Sequence, residues 1–155
     1  MEPTRTVVRI LRQRSDAMAN SINREVVVNL MKNLDLCFMH TVSGGEVYAR
    51  PMSNNKDIDW DGANWFFSNG NTRKVEQISS NPNVALTFES ESDWIVLRGT
   101  ANLHQDDEDL FEKHWVTDLE RWFEQSIDTP GLTLIEVVAE EAELFGAAGE
   151  GIVKL

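Results

Sequence analysis

The chain has 155 residues, 41% of them hydrophobic and 26% charged, with a net charge of −12. That length suits one domain, which buries roughly two thirds of its unfolded surface. The acidity argues against nucleic acid, which needs a basic field, and no segment reaches the ~20 apolar residues of a membrane span.

The acidity is uneven. Residues 1–100 carry 11 basic and 12 acidic side chains; residues 101–155 carry 3 and 14. The opening "MEPTRTVVRILRQRSD" has no uninterrupted apolar run, so no secretory signal is expected. The single cysteine, Cys37, forbids an internal disulfide and sits in the apolar run "LCFM" as a core thiol. A cytoplasmic protein is the expectation.

In chain order, residues 1–20 read as a mobile arm or a short helix. From Asp16 to Leu34, Met18, Ile22, Val26, Leu30 and Leu34 recur at spacing four, widened by Val27 and Met31, which predicts a helix. The period then falls to two. "DLCFMHTV" and "EVYARPM" flank "SGG" as a hairpin, with Pro51 marking an edge or an end. "SNNKDIDWDG" is a polar loop and "ANWFFS" a third strand. Asn71 or Thr72 caps a short helix carrying Val75 and Ile78. "VALTFE" and "WIVLRGTANL" are strands, with Gly99 at a bulge or a close backbone approach. Residues 106–125 read as an amphipathic helix with Leu110, Phe111, Trp115, Leu119, Trp122 and Phe123 on one stripe. "LTLIEVV" and "AELF" read as two last strands. About seven short strands with few crossovers predict a mainly β (α+β) fold: a small, mostly antiparallel barrel with flanking helices, a single domain over 1–155.

One stretch stands out for chemistry. "FFSNGNTRKV" is a strand, a polar turn and a helix start, with Arg73 and Lys74 side by side. Helix N-terminal amides and two cations suit a phosphate monoester, with Ser68, Asn69 and Thr72 as neutral donors. A solvated helix bearing two exposed cations is the plain alternative. Arg50, in an apolar strand, needs a partner; a surface carboxylate is the plain choice. "DIDWDG" fits the first positions of a calcium loop, but Ser68 stands where the bidentate glutamate belongs, so a tight acidic turn is expected. His40, His104 and His114 have no ligand spacing, and no serine or cysteine sits in a nucleophile motif. Five tryptophans serve either the core or an aromatic wall for a planar ligand.

Together "YARPM", "NWFFSNGNTRKVEQISSNPNVALTF" and "DWIVLRGTANL" resemble the pyridoxamine 5'-phosphate oxidase-like FMN-binding split barrels. "HW…LERWF" and "EEAELF" resemble their general stress protein branch, and the resemblance covers roughly residues 25–146. It implies a homodimer with FMN in clefts at the interface and a small-molecule redox substrate. It implies Arg50 with its neighbours Pro51 and Met52 on the phosphate-side strand, and Phe67 and Ser68 beneath the flavin and ribityl chain. It implies Arg73 and Lys74 as the phosphate grip, beside the neutral donors Asn69 and Thr72 read from the local pattern, and Trp94 near the isoalloxazine. Phe145 falls where many members place a tryptophan from the other subunit, and Lys56 is a weak contact. The chain lacks the family's "R.H.R"-like element, so oxidation of pyridoxamine phosphate is not expected. Two functions remain open: an FMN-dependent oxidoreductase, and a non-enzymatic binder or sensor of flavin or another planar cofactor such as haem.

Overall fold

The computed structural model describes residues 22–53 and 59–155. The expectations for the arm 1–20, for the start of the first helix, and for Lys56 and Asp57 fall outside them. Among the described residues the first helix is α1 (Arg24–Met31), which begins where the Asn23 side chain accepts from the Val26 amide at 3.1 Å. It buries Val27 and Met31, the residues that widened the predicted stripe, and Leu34 lies beyond its end.

The strands β1 (Leu36–Ser43) and β2 (Glu46–Ser53) form the expected hairpin. Gly44 and Gly45 both take positive φ, as a two-residue primed turn demands. The strand β3 (Ala63–Asn69) precedes the helix α2 (Arg73–Ser80). Then come β4 (Asn83–Glu89) and the 13-residue β5 (Asp93–Gln105). A short α3 (Glu108–His114) leads to two 3-10 turns, Thr117–Arg121 and Ser126–Asp128. The chain closes with β6 (Leu132–Gly146) and β7 (Gly151–Lys154).

The seven strands form one sheet, ordered β2-β1-β4-β5-β6-β3, with β7 also on β6. Every pairing is antiparallel. Pro51 lies in the edge strand β2, where its missing N–H breaks no ladder to a further strand. Register shifts between Arg98 and Gly99, and a Cβ on Gly99 would lie 1.8 Å from the Val138 carbonyl oxygen. The expected bulge and the expected close approach are therefore one feature.

Two apolar clusters flank the sheet. The larger unites α1, α2 and the inward side chains of β1, β4, β5 and β6. The smaller holds Phe111, Phe123, Leu132 and Leu134, with Trp65, Phe67 and Trp115 against it. Leu132, Thr133, Leu134 and Ile135 are buried in succession because this part of β6 is covered on both faces. No helix among the described residues is long and apolar enough to cross a membrane.

Two expectations need correcting. The helix over 106–125 ends at His114, because Trp115 is extended (φ −72°, ψ 136°) and turns onto Phe67. Val116 is extended too, and Trp122, expected on the apolar stripe, is 78% exposed. The two last strands are one: the bulge leaves Glu140 unopposed in the β5 register and interrupts the alternation without ending β6. β7 was not expected, so the described residues hold seven strands with a different membership.

Candidate functional site

The period of two places Tyr48, Arg50 and Met52 on the half-buried face of β2. Their cross-strand partners Thr41, Met39 and Cys37 are all buried, so Arg50 points inward from the edge. Among the described residues its guanidinium meets only neutral oxygens. Nη1 donates to Met39 O at 3.1 Å and to Thr41 Oγ1 at 2.9 Å; Nη2 donates to Gln77 Oε1 at 2.7 Å. The surface carboxylate that the sequence suggested for Arg50 is absent among the described residues.

The helix α2 brings the other cations. Thr72 occupies its N-cap, but the hydroxyl donates back to Asn69 O at 3.0 Å and makes no capping bond. Ser68 Oγ lies 3.2 Å from Thr72 Oγ1 and donates to Asn69 O at 2.9 Å. The first turn thus has no side-chain cap, which favours an anion there, and it carries one acid, Glu76, beside the two cations. Arg73 lies over the Tyr48 ring, 5.4 Å from its centre.

Arg50 feels Arg73, and Lys74 feels Arg50. Burial, and then Arg73, holds the Arg50 guanidinium below the usual arginine value. Burial, and then Arg50, does the same to Lys74. Among the described residues, none of the three pairs with a carboxylate, although the chain has 26 acidic groups. The ion pairs among the described residues lie elsewhere: Arg98 with Glu141 and Glu143, and Lys154 with Glu141, while His104 meets Glu136 at 2.8 Å. A partly desolvated cluster of like charge is costly by itself and is what an anion would relieve.

One chain therefore joins Arg50, Ser68, Asn69, Thr72, Arg73 and Lys74 around the start of α2. Asn69 also borders a groove of about 730 Å³ between the 69–71 turn, Gln105–Asp106 and Pro130–Leu132. Met52 is half-buried, and Pro51 is exposed on the opposite side of β2. Phe67 turns away from Ser68 into the smaller cluster, edge-on to Phe111 at 5.7 Å and to Trp115 at 5.0 Å. Trp94 and Phe145 are cross-strand partners, 47% and 43% exposed, on the sheet face opposite Arg50.

Sequence reasoning missed Thr41, Tyr48 and Gln77. Thr41 alternates with Cys37 and Met39, so a polar side chain at an inward strand position was the available signal. Tyr48 lies two residues before Arg50 on the same face. Gln77 is a buried polar residue between Val75 and Ile78.

The remaining candidates have local roles. Burial, then Asp35, pushes the Cys37 thiol up to about 12, which leaves it un-ionised and inert. Asp61 accepts from the Ala63 amide at 3.2 Å, as a tight acidic turn would. No group of three His, Cys, Asp or Glu among the described residues could hold a metal ion.

The sequence and the fold match known proteins. The model of the family described as "Pyridoxamine 5'-phosphate oxidase like" matches residues 23–155. General stress protein 26 of Bacillus subtilis (strain 168) is 32% identical over 89 residues, 54% of this chain and 62% of that protein, so the match spans less than two thirds of that relative. The crystal structure of General Stress Protein 26 from Bacillus anthracis str. Sterne superposes with a TM-score of 0.71 at 20% identity, covering 84% of this chain and 97% of the other. A FAD-binding protein from Mesorhizobium loti superposes with a TM-score of 0.64 at 15% identity, covering 79% of this chain and 94% of the other. These likenesses extend to the split-barrel fold, and the matched segment contains every residue of the cationic cluster. The chain belongs to the Pyridoxamine 5'-phosphate oxidase like family.

Proposed function

We propose that this protein binds FMN as a homodimer and acts in the cytoplasm as a flavin-dependent oxidoreductase on a small redox substrate. The observation that carries the reading is the cluster of Arg50, Arg73 and Lys74 at the uncapped start of α2, none of which forms an ion pair with a carboxylate among the described residues. A phosphate monoester carries close to two charges at neutral pH and matches that cluster. Arg50, Arg73 and Lys74 would hold the phosphate, and Ser68, Asn69 and Thr72 would line its turn. Flavin, when bound, supplies electron and hydride transfer. The chain's own part is to bind, orient and exclude water; no side chain in the cluster has the character of a general acid or base.

The outer sheet face supports the second copy. Leu36, Phe38, Val47, Trp94, Phe145 and Ile152 are all exposed there, more apolar surface than a solvated sheet face carries comfortably. Covering it with a second copy buries the strands beside the edge β2 and brings Trp94 and Phe145 against the partner, as the family resemblance implies.

The test is a visible absorption spectrum of protein purified without added cofactor, repeated after incubation with FMN and dialysis. Two flavin bands at about one FMN per chain are expected. A haem-type band, or no retained chromophore in either sample, overturns the flavin reading. Turnover with a reduced nicotinamide donor then separates an enzyme from a flavin-binding sensor.

A further inference from the structure

Thr41 Oγ1 and Gln77 Oε1 lie 2.7 Å apart, bridged by the threonine hydroxyl, which donates to the amide oxygen. Arg50 grips this pair with both terminal nitrogens, Nη1 on Thr41 at 2.9 Å and Nη2 on Gln77 at 2.7 Å. Two oxygens so spaced occupy the place where the fork of an arginine usually holds a carboxylate. Here both are neutral, and both residues are buried. Thr41 comes from β1, Gln77 from α2 and Arg50 from β2, so the clasp also fixes the helix against the hairpin.

A guanidinium has five N–H donors. Met39 O, Thr41 and Gln77 take three of them. The N–H of Nε and the second N–H of Nη2 remain, and they share one edge. A carboxylate in the clasp would orient Arg50 equally well but would cancel its charge. A neutral clasp orients Arg50 and leaves the charge to act on a ligand.

We propose that Gln77 and Thr41 are positioning residues that mimic a carboxylate without its charge, and so reserve Arg50 for a phosphate-bearing ligand. The inference rests on the anion-binding reading of the cluster and gives it a specificity element: discrimination between phosphorylated and unphosphorylated forms of one ligand.

The deciding variant is Gln77→Glu, which keeps both accepted hydrogen bonds and adds the missing charge. Calorimetric titration with FMN, riboflavin and inorganic phosphate is done on the wild type and the variant. Affinity for FMN and for phosphate is expected to fall by roughly 10- to 100-fold in Gln77→Glu, with riboflavin unchanged and the melting temperature not lowered. Thr41→Val should lose phosphate affinity and Thr41→Ser should keep it, which covers the case in which Gln77→Glu does not fold. Equal FMN affinity in wild type and Gln77→Glu overturns the inference and leaves the flavin reading standing. Phosphate binding that Gln77→Glu abolishes, in a protein that takes up no FMN, supports the inference and overturns the flavin reading. A wild type that binds neither FMN nor phosphate overturns both.

Discussion

Arg73 lies over the ring of Tyr48, 5.4 Å from its centre, while the Tyr48 hydroxyl donates to Glu46 Oε2 at 3.0 Å. One tyrosine thus engages the cation through its face and an acid of its own strand through its hydroxyl. Glu46 has Tyr48 as its hydrogen-bond partner, and Arg73 keeps its charge for an anion. The cluster stays cationic in an acidic chain because, among the described residues, none of its three cations forms an ion pair with a carboxylate.

Replacing Arg73 and Lys74 together by alanine should therefore abolish flavin retention. Charge-assisted hydrogen bonds contribute about 1.5–3 kcal/mol each, so affinity should fall by roughly 10²–10⁴-fold. Both residues are in the first turn of α2, and the buried Val75 and Ile78 are untouched, so the fold should survive. Fluorescence titration with FMN and far-ultraviolet circular dichroism check the two halves. Wild-type affinity in the double variant would refute the site assignment.

Phe38→Glu should give a folded monomer. Phe38 is 52% exposed and stands opposite Pro51 on β2 and Thr87 on β4, in the middle of the outer face. A charge there costs little in one chain but is desolvated against a second copy. Sedimentation velocity should show a dimer for the wild type and a monomer for Phe38→Glu. A wild-type monomer at micromolar concentration would refute the dimer.

Gly99→Ala tests the bulge. The added Cβ would lie 1.8 Å from Val138 O and 3.0 Å from Ala139 Cα, both backbone, so the β5–β6 ladder must shift. The expected loss is about 1–3 kcal/mol of stability, read from urea unfolding. An unchanged midpoint would mean that the ladder yields freely there.

Parts of this architecture were legible in the sequence because they are local. Gly44–Gly45 signals its own turn, and the strand "VALTFE" alternates cleanly because one face is core. Arg73 and Lys74 were legible because strand, turn and cations are contiguous. The clasp was not: Thr41, Arg50 and Gln77 meet only when a helix docks on a hairpin, and no spacing encodes that. The aromatics of 110–123 have helical spacing, yet tertiary packing of Trp115 on Phe67 outweighs the helical tendency of the segment. β6 read as two strands because one bulged residue shifts the phase of the pattern. The packing of Phe67 was not legible either: the resemblance implies a place beneath the flavin, and nothing in the spacing shows that its ring meets Phe111 and Trp115 edge-on.

The last prediction concerns pH. His114 ends α3 and stacks on Trp65, 3.9 Å between ring centres and 19° between planes. Burial, and then Lys113, hold its imidazole below the ordinary histidine value; His104 acts in the same direction, while Asp61 and Glu136 oppose it. The unfolded chain has no such restraint and takes up its proton near pH 6.5. Between that value and the lower folded one, the unfolded state binds more protons, so stability falls as pH falls. The contribution of neutral His114 is thus fully present above about pH 6.5 and is lost progressively below it. His40, lowered by burial and then Arg50, acts with the same sign. Urea midpoints measured at neutral and mildly acidic pH should therefore differ, with the acidic one lower. Gln at position 114, introduced as His114→Gln, should shrink the difference and leave a residual from His40. An unchanged difference would show that the stack on Trp65 tolerates the imidazolium.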